Sequence, residues 1–300
     1  MSTALPPPIA GTAVGERGAS GGQTTLPLVA AIGAIAVLSG SLIVSKYLLE
    51  ALVGFGWPVA VYVALLAVVG YGPSVWWCRF ASARWGTGDL GVDIGLAPRF
   101  ADLGWGPVIW LGAVGAQIAV GAIVVALGVP LVGNTEGIDE IRADRTYVVS
   151  LVITAVVAAP IVEEMVFRGV VMRGLRSRLP VVAVVVVQGL LFGLAHVDPV
   201  RGIGNMGLVL VLSSVGVAFG VAVSLLGRIG PSIVAHAIFN GAVLLIVLTG
   251  VAGRLQDDTS AARLVERPVS TNEQISVVDQ TNVAEACRDG EANSSRLSIP

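Results

Sequence analysis

Two carboxylates, a guanidinium, two imidazoles and a carboxamide sit where an apolar chain has least reason to carry them. Glu163, Glu164 and Arg168 interrupt one hydrocarbon-length stretch, His196 the next, and His236 with Asn240 another. The two histidines are the only ones in the chain. An ionisable group at the centre of a bilayer costs about 2.5–3.5 kcal/mol on insertion scales, so such residues face a protein interior or a wet cavity and act there. Together they supply the parts of hydrolysis. A carboxylate or imidazole takes a proton from water, and N–H donors hold the oxyanion that forms.

Helical spacing divides the labour. Glu164 and Arg168 are four residues apart, close enough on a helix to form an ion pair. That pairing lowers the penalty of burying both. Glu163 points about 100° away from Glu164 and has no partner nearby in sequence, as a general base requires. The bland alternative is an ion-paired patch at headgroup level, which would not need a histidine at matching depth.

That match follows from a short turn. Arg173, Arg176 and Arg178 end the stretch 147–178, and Pro180 opens the stretch 181–198; a connection this short predicts an antiparallel hairpin. Glu163 and His196 then both lie roughly 22–24 Å from the turn. They are level. Phe192 falls one turn before His196, on the same face. His236 and Asn240, again four apart, share a face and suit either an oxyanion site or polar contacts between helices.

The surrounding chain must be a membrane bundle. Of 300 residues, 55% are hydrophobic and 13% charged, and the mean hydropathy is +0.84. Apolar stretches of about 20 residues, enough to cross about 30 Å as helix, recur near 26–49, 57–77, 105–129, 147–172, 181–198, 205–227 and 231–250. The expected fold is all-α: a polytopic transmembrane bundle of about seven or eight spans. Residues 78–104 mix Arg79, Arg84, Asp89, Asp93, Arg99 and Asp102 with apolar residues and read as an interfacial segment. The sequence divides into a polar tail at 1–25, N-terminal spans at 26–146, a polar-bearing core at 147–250 and a polar tail at 251–300. Both tails are too poor in apolar residues to build a core.

Charge and cysteine content narrow the partners. A net charge of −2 gives no reason to expect nucleic acid. Cys78 and Cys287 lack metal-ligand spacing. Arginines cluster at 173–178 and again at Arg228, which the positive-inside rule places in the cytoplasm. Abundant Ala, Val and Gly with a single lysine, Lys46, point to a GC-rich bacterial genome and hence a bacterial plasma membrane.

The three polar segments together resemble the CAAX-protease and bacteriocin-processing family of intramembrane proteases, also called CPBP or Abi. Its pattern is Glu-Glu-x-x-x-Arg, Phe-x-x-x-His and His-x-x-x-Asn on successive core helices. The chain carries Glu163-Glu164-Met-Val-Phe-Arg168, Phe192-Gly-Leu-Ala-His196 and His236-Ala-Ile-Phe-Asn240, in that order and without departure. Each motif alone is weak; three in order within a hydrophobic chain are specific. The resemblance covers roughly residues 147–250 and implies a helical bundle with a conical cavity. It also implies an endopeptidase acting on a membrane-associated protein or peptide, by CAAX-type cleavage or bacteriocin and leader processing. By the same resemblance Glu163 with His196 would activate water, His236 and Asn240 would hold the oxyanion, and Glu164, Arg168 and Phe192 would support them.

Metal dependence stays open on these residues. Glu163, His196 and His236 could hold Zn²⁺ and leave a position for water. The chain lacks the compact H-E-x-x-H arrangement, and His236 with Asn240 suits an oxyanion better than ligation, so the metal-free route is preferred. A second reading, a proton-coupled transporter using the same Glu and His residues, lacks the paired inverted halves such folds show. A third, a scaffold without catalysis, leaves the complete motif set unexplained.

Overall fold

Pro27, Pro58 and Pro180 each stand immediately before a helix, where the missing N–H removes no helical bond. The computed structural model describes residues 26–131, 145–197 and 205–250. The expected tails and most of the loop 133–146 lie outside the described residues. The described elements are helices α1 (Leu28–Leu52), α2 (Val59–Trp85), α3 (Leu90–Ile94) and α4 (Ala101–Ala126). These are followed by α5 (Arg145–Arg176), α6 (Val181–Leu194), α7 (Met206–Leu226) and α8 (Gly230–Leu248). Six helices (α1, α2, α4, α5, α7 and α8) are long and apolar enough to cross a membrane, and α6 is a shorter apolar helix. The fold is the expected all-α transmembrane bundle.

Two elements differ from their expected lengths. Helix α2 does not stop near residue 77. It continues through Pro73, Arg79 and Arg84 for 27 residues, about 40 Å. A bilayer boundary limits apolarity, whereas a helix can run on into the headgroups. Helix α6 is shorter than its apolar stretch, with 14 residues or about 21 Å. His196 sits just past its end, its backbone N–H donating to Gly193 O at 3.0 Å. The apolar run continues past the helix through residues 195–197, which are not helical.

The interfacial segment folds around one carboxylate. Asp89 caps α3 by accepting from Val92 N at 3.2 Å. Asp93, fully buried, accepts from the Ser82 hydroxyl at 2.6 Å and from Thr87 N at 2.9 Å. At the start of α4, Asp102 receives Arg228 Nη2 at 2.6 Å and Nε at 2.9 Å, tying the entry of α4 to the turn before α8.

Within the compact unit that ends at Leu245, the buried apolar residues form two clusters. One core cluster joins α1, α2, α3, α5 and α6 through Ala34, Cys78, Ile94, Val166, Val170 and Phe192. A second joins α4, α7 and α8 through Ile109, Ala113, Val215, Phe219, Ala235 and Phe239. Small residues set the α6–α7 approach, as between membrane helices generally. A side chain on Gly216 would meet Gly189 Cα at 2.9 Å and Phe192 Cβ at 3.1 Å.

Helix α5 is not regular. Two π-helical segments, Ile153–Ala158 and Met165–Val171, flank the α-helical turns Ala159–Glu164. Wider π turns shift carbonyls off register and often mark functional sites. Partners reach those carbonyls from outside the normal ladder. Asn240 Nδ2 donates to Ala155 O at 2.8 Å, and Arg173 Nη1 donates to Arg168 O at 3.1 Å.

Candidate active site

Glu164 and Arg168 form the anchor. Arg168 Nη1 donates to Glu164 Oε1 at 2.8 Å, with both side chains fully buried. The guanidinium also gives Nη2–H to Gly216 O at 3.1 Å, an approach that the glycine contact of α6 and α7 permits. Its planar face covers the rings of Phe192 and Phe219 at 4.5 and 5.2 Å, within cation–π range. A charge pair in hydrocarbon survives only when its remaining donors find acceptors; Gly216 and the aromatic rings supply much of that.

His236 is tied to the anchor. Its Nδ1 lies 3.0 Å from Glu164 Oε1. An ionised carboxylate held by Arg168 can only accept, so Nδ1 carries the hydrogen. His196 follows the same rule, with Nδ1 2.8 Å from the carbonyl of Phe192, which also only accepts. In its neutral form each ring therefore presents a lone pair at Nε2. Phe192, one turn before His196, holds its ring 4.8 Å from one imidazole and 5.7 Å from the other.

Both lone pairs face Glu163. His196 Nε2 stands 4.0 Å from Glu163 Oε2 and His236 Nε2 stands 3.8 Å from the same oxygen. Oε2 is buried and has no hydrogen-bond partner. The separations are too long for direct hydrogen bonds and suit one bridging water, whose O–H groups reach two acceptors at once. The other oxygen, Oε1, accepts from the Tyr71 hydroxyl of α2 at 3.2 Å.

These groups open on one cavity of about 550 Å³, whose walls include Gln117, Glu163, His196, Leu208, His236 and Asn240. Its volume lies within the range of small-molecule and peptide sites. All four expected catalytic side chains reach it. Asn240 has two amide hydrogens, and the bond to Ala155 O uses one, leaving the other for a ligand.

Ligand spacing tests the zinc alternative. Ligands at about 2.0–2.1 Å around a tetrahedral ion stand about 3.4 Å from one another, shorter than the 3.8 and 4.0 Å found here. Among the described residues no group of three or more His, Cys, Asp or Glu is placed to hold a metal ion. As arranged, each imidazole stands farther from Glu163 than two ligands of one zinc ion would.

Residues 145–242 match the family of type II CAAX prenyl endopeptidases described as Rce1-like. The match spans all three motifs. No curated protein and no solved structure matches the chain. The Rce1-like match agrees with the resemblance carried by the motifs. With six helices long and apolar enough to cross a membrane, the match supports an integral membrane protein and, in general terms, an intramembrane endopeptidase.

Sequence reasoning missed Tyr71 and Gln117. Both lie in the N-terminal half, outside the Rce1-like region. A signal for Tyr71 was present: a tyrosine at mid-span in Gly70-Tyr71-Gly72-Pro73, where aromatic residues with polar tips normally sit at span ends.

Proposed function

We propose that the chain cleaves a peptide bond in a membrane-associated protein or peptide, with Glu163 as the general base, His196 orienting the attacking water, and Asn240 and His236 stabilising the oxyanion. The single observation that carries this reading is Glu163 Oε2, buried without a partner and facing two imidazole nitrogens at 3.8 and 4.0 Å. A water between them gives one hydrogen to Oε2 and one to His196 Nε2, which aims its own lone pair into the cavity.

Attack on the scissile carbonyl transfers the water proton to Glu163 and forms a C–O bond as the carbonyl π bond opens to an oxyanion. The free amide hydrogen of Asn240 stabilises that oxygen. His236 donates from Nε2 only as an imidazolium, because its neutral tautomer places the hydrogen on Nδ1. Collapse of the intermediate breaks the C–N bond, and Glu163 returns the proton to the leaving amine. The route is metal-free, in keeping with the ligand spacing.

The substrate is a membrane-anchored polypeptide, and the membrane a bacterial plasma membrane. Comparative proteomics of membranes from cells carrying the parent chain or Glu163→Gln tests the reading. One or more uncleaved precursors accumulate with the variant; identical profiles at equal expression contradict it.

A further inference from the structure

Glu163 meets its imidazole neighbours through one oxygen only, and the other oxygen is held from a different part of the chain. Tyr71 reaches Oε1 from α2 at 3.2 Å. The carboxylate accepts, so the phenol donates. We propose that Tyr71 is a positioning residue for hydrolysis: its hydroxyl fixes the Glu163 carboxylate so that Oε2 faces both imidazoles. This rests on the reading of Glu163 as general base.

Glu163 needs such a clamp. Its terminal torsion is broad and nearly two-fold, and Oε2 makes no hydrogen bond that would set the plane. The imidazoles stand too far away to hold it directly. Without the phenol, the carboxylate rotates and Oε2 leaves the line between His196 and His236.

Tyr71 is itself well held. Its ring packs against the core cluster formed by α1, α2, α5 and α6. The preceding residue, Gly70, gives its carbonyl to the Ser41 hydroxyl of α1 at 2.8 Å, which locks this turn of α2 to its neighbour. Pro73, two residues on, lies inside α2. A proline within a helix deletes one backbone bond, although α2 runs on as a continuous helix through this turn.

The hydroxyl acts through Glu163 and not on the substrate. Tyr71 is absent from the walls of the cavity that holds His196 and Asn240. It lines a separate cavity of about 410 Å³ with Leu42, Ser45 and Leu66.

The test uses the full chain, reconstituted in vesicles, with Tyr71→Phe and Glu163→Gln. Turnover is followed on a quenched, prenylated CAAX peptide. The infrared carboxylate band of Glu163 is taken as the difference between parent and Glu163→Gln. In Tyr71→Phe this band shifts and kcat falls about 10- to 100-fold, the scale set by misplacing a reacting group, while KM and the melting temperature stay unchanged. An unshifted band overturns the proposal. So does full turnover in Tyr71→Phe, or a loss of kcat that merely follows a lowered melting temperature. Full turnover in Glu163→Gln removes the base reading instead, and the band still decides whether the Tyr71 bond exists.

Discussion

His236 bonds Glu164 and faces Glu163: Nδ1 lies 3.0 Å from Glu164 Oε1, and Nε2 lies 3.8 Å from Glu163 Oε2. One imidazole thereby links the buried ion pair to the carboxylate that opens on the cavity. Adjacent residues of α5 divide into one acid held in the buried ion pair and one that lines the cavity, because successive helical side chains diverge by about 100°.

The two acids should therefore differ in stability effect. Glu164→Gln leaves the fully buried Arg168 without its counter-charge, a change that costs about 3–5 kcal/mol at buried pairs. Glu163→Gln breaks no ion pair of that kind. Thermal unfolding in detergent should show a large drop for Glu164→Gln and little change for Glu163→Gln. Equal melting temperatures would contradict the division.

Asn240→Ala removes both the bond to Ala155 O and the remaining amide hydrogen. Loss of an oxyanion donor lowers kcat by about 10²–10³. Steady-state kinetics should show that loss in kcat with KM little changed. A pure KM effect would make Asn240 a substrate-binding residue.

Asp93 gives a pH signature outside the membrane spans. Burial pushes its carboxyl up, but bonds from the Ser82 hydroxyl and from Thr87 outweigh this and hold it below its usual value. A native carboxyl that ionises more readily than the unfolded one adds stability at neutral pH, and this is lost as pH falls through the native value. Asp93→Asn should melt lower than the parent at pH 7, and the gap should close as the solution is acidified. A gap that persists in acid would mean that packing, not charge, is what the substitution removed.

Much of this arrangement was legible in the sequence. Spans of hydrocarbon length gave the bundle, and the i, i+4 spacing gave the Glu164–Arg168 pair. The arginine-rich turn gave the level placement of Glu163 and His196. What the residues did not carry was tertiary. That His236 bonds Glu164 depends on how α8 lies against α5, and that Tyr71 meets Glu163 depends on a contact 92 residues away in sequence. The π segments of α5 left no pattern either, since Ile153–Ala158 reads as an ordinary apolar turn. The end of α6 was misplaced because apolarity continues past the last helical residue.

A metal-free site predicts that strong chelators leave turnover intact and that purified protein carries no stoichiometric zinc. Metal analysis and turnover after dialysis against a chelator check this together. Loss of activity restored by zinc would mean that Glu163, His196 and His236 close to ligand distances in the working enzyme.

Turnover of the Glu163→Gln variant tests the central claim most directly. Parent and variant are reconstituted at equal density and shown to melt at the same temperature, then given a quenched, prenylated CAAX peptide. Cleavage by the parent alone, with the variant reduced by at least about 10²-fold, is the predicted result. Equal cleavage by both proteins would contradict it.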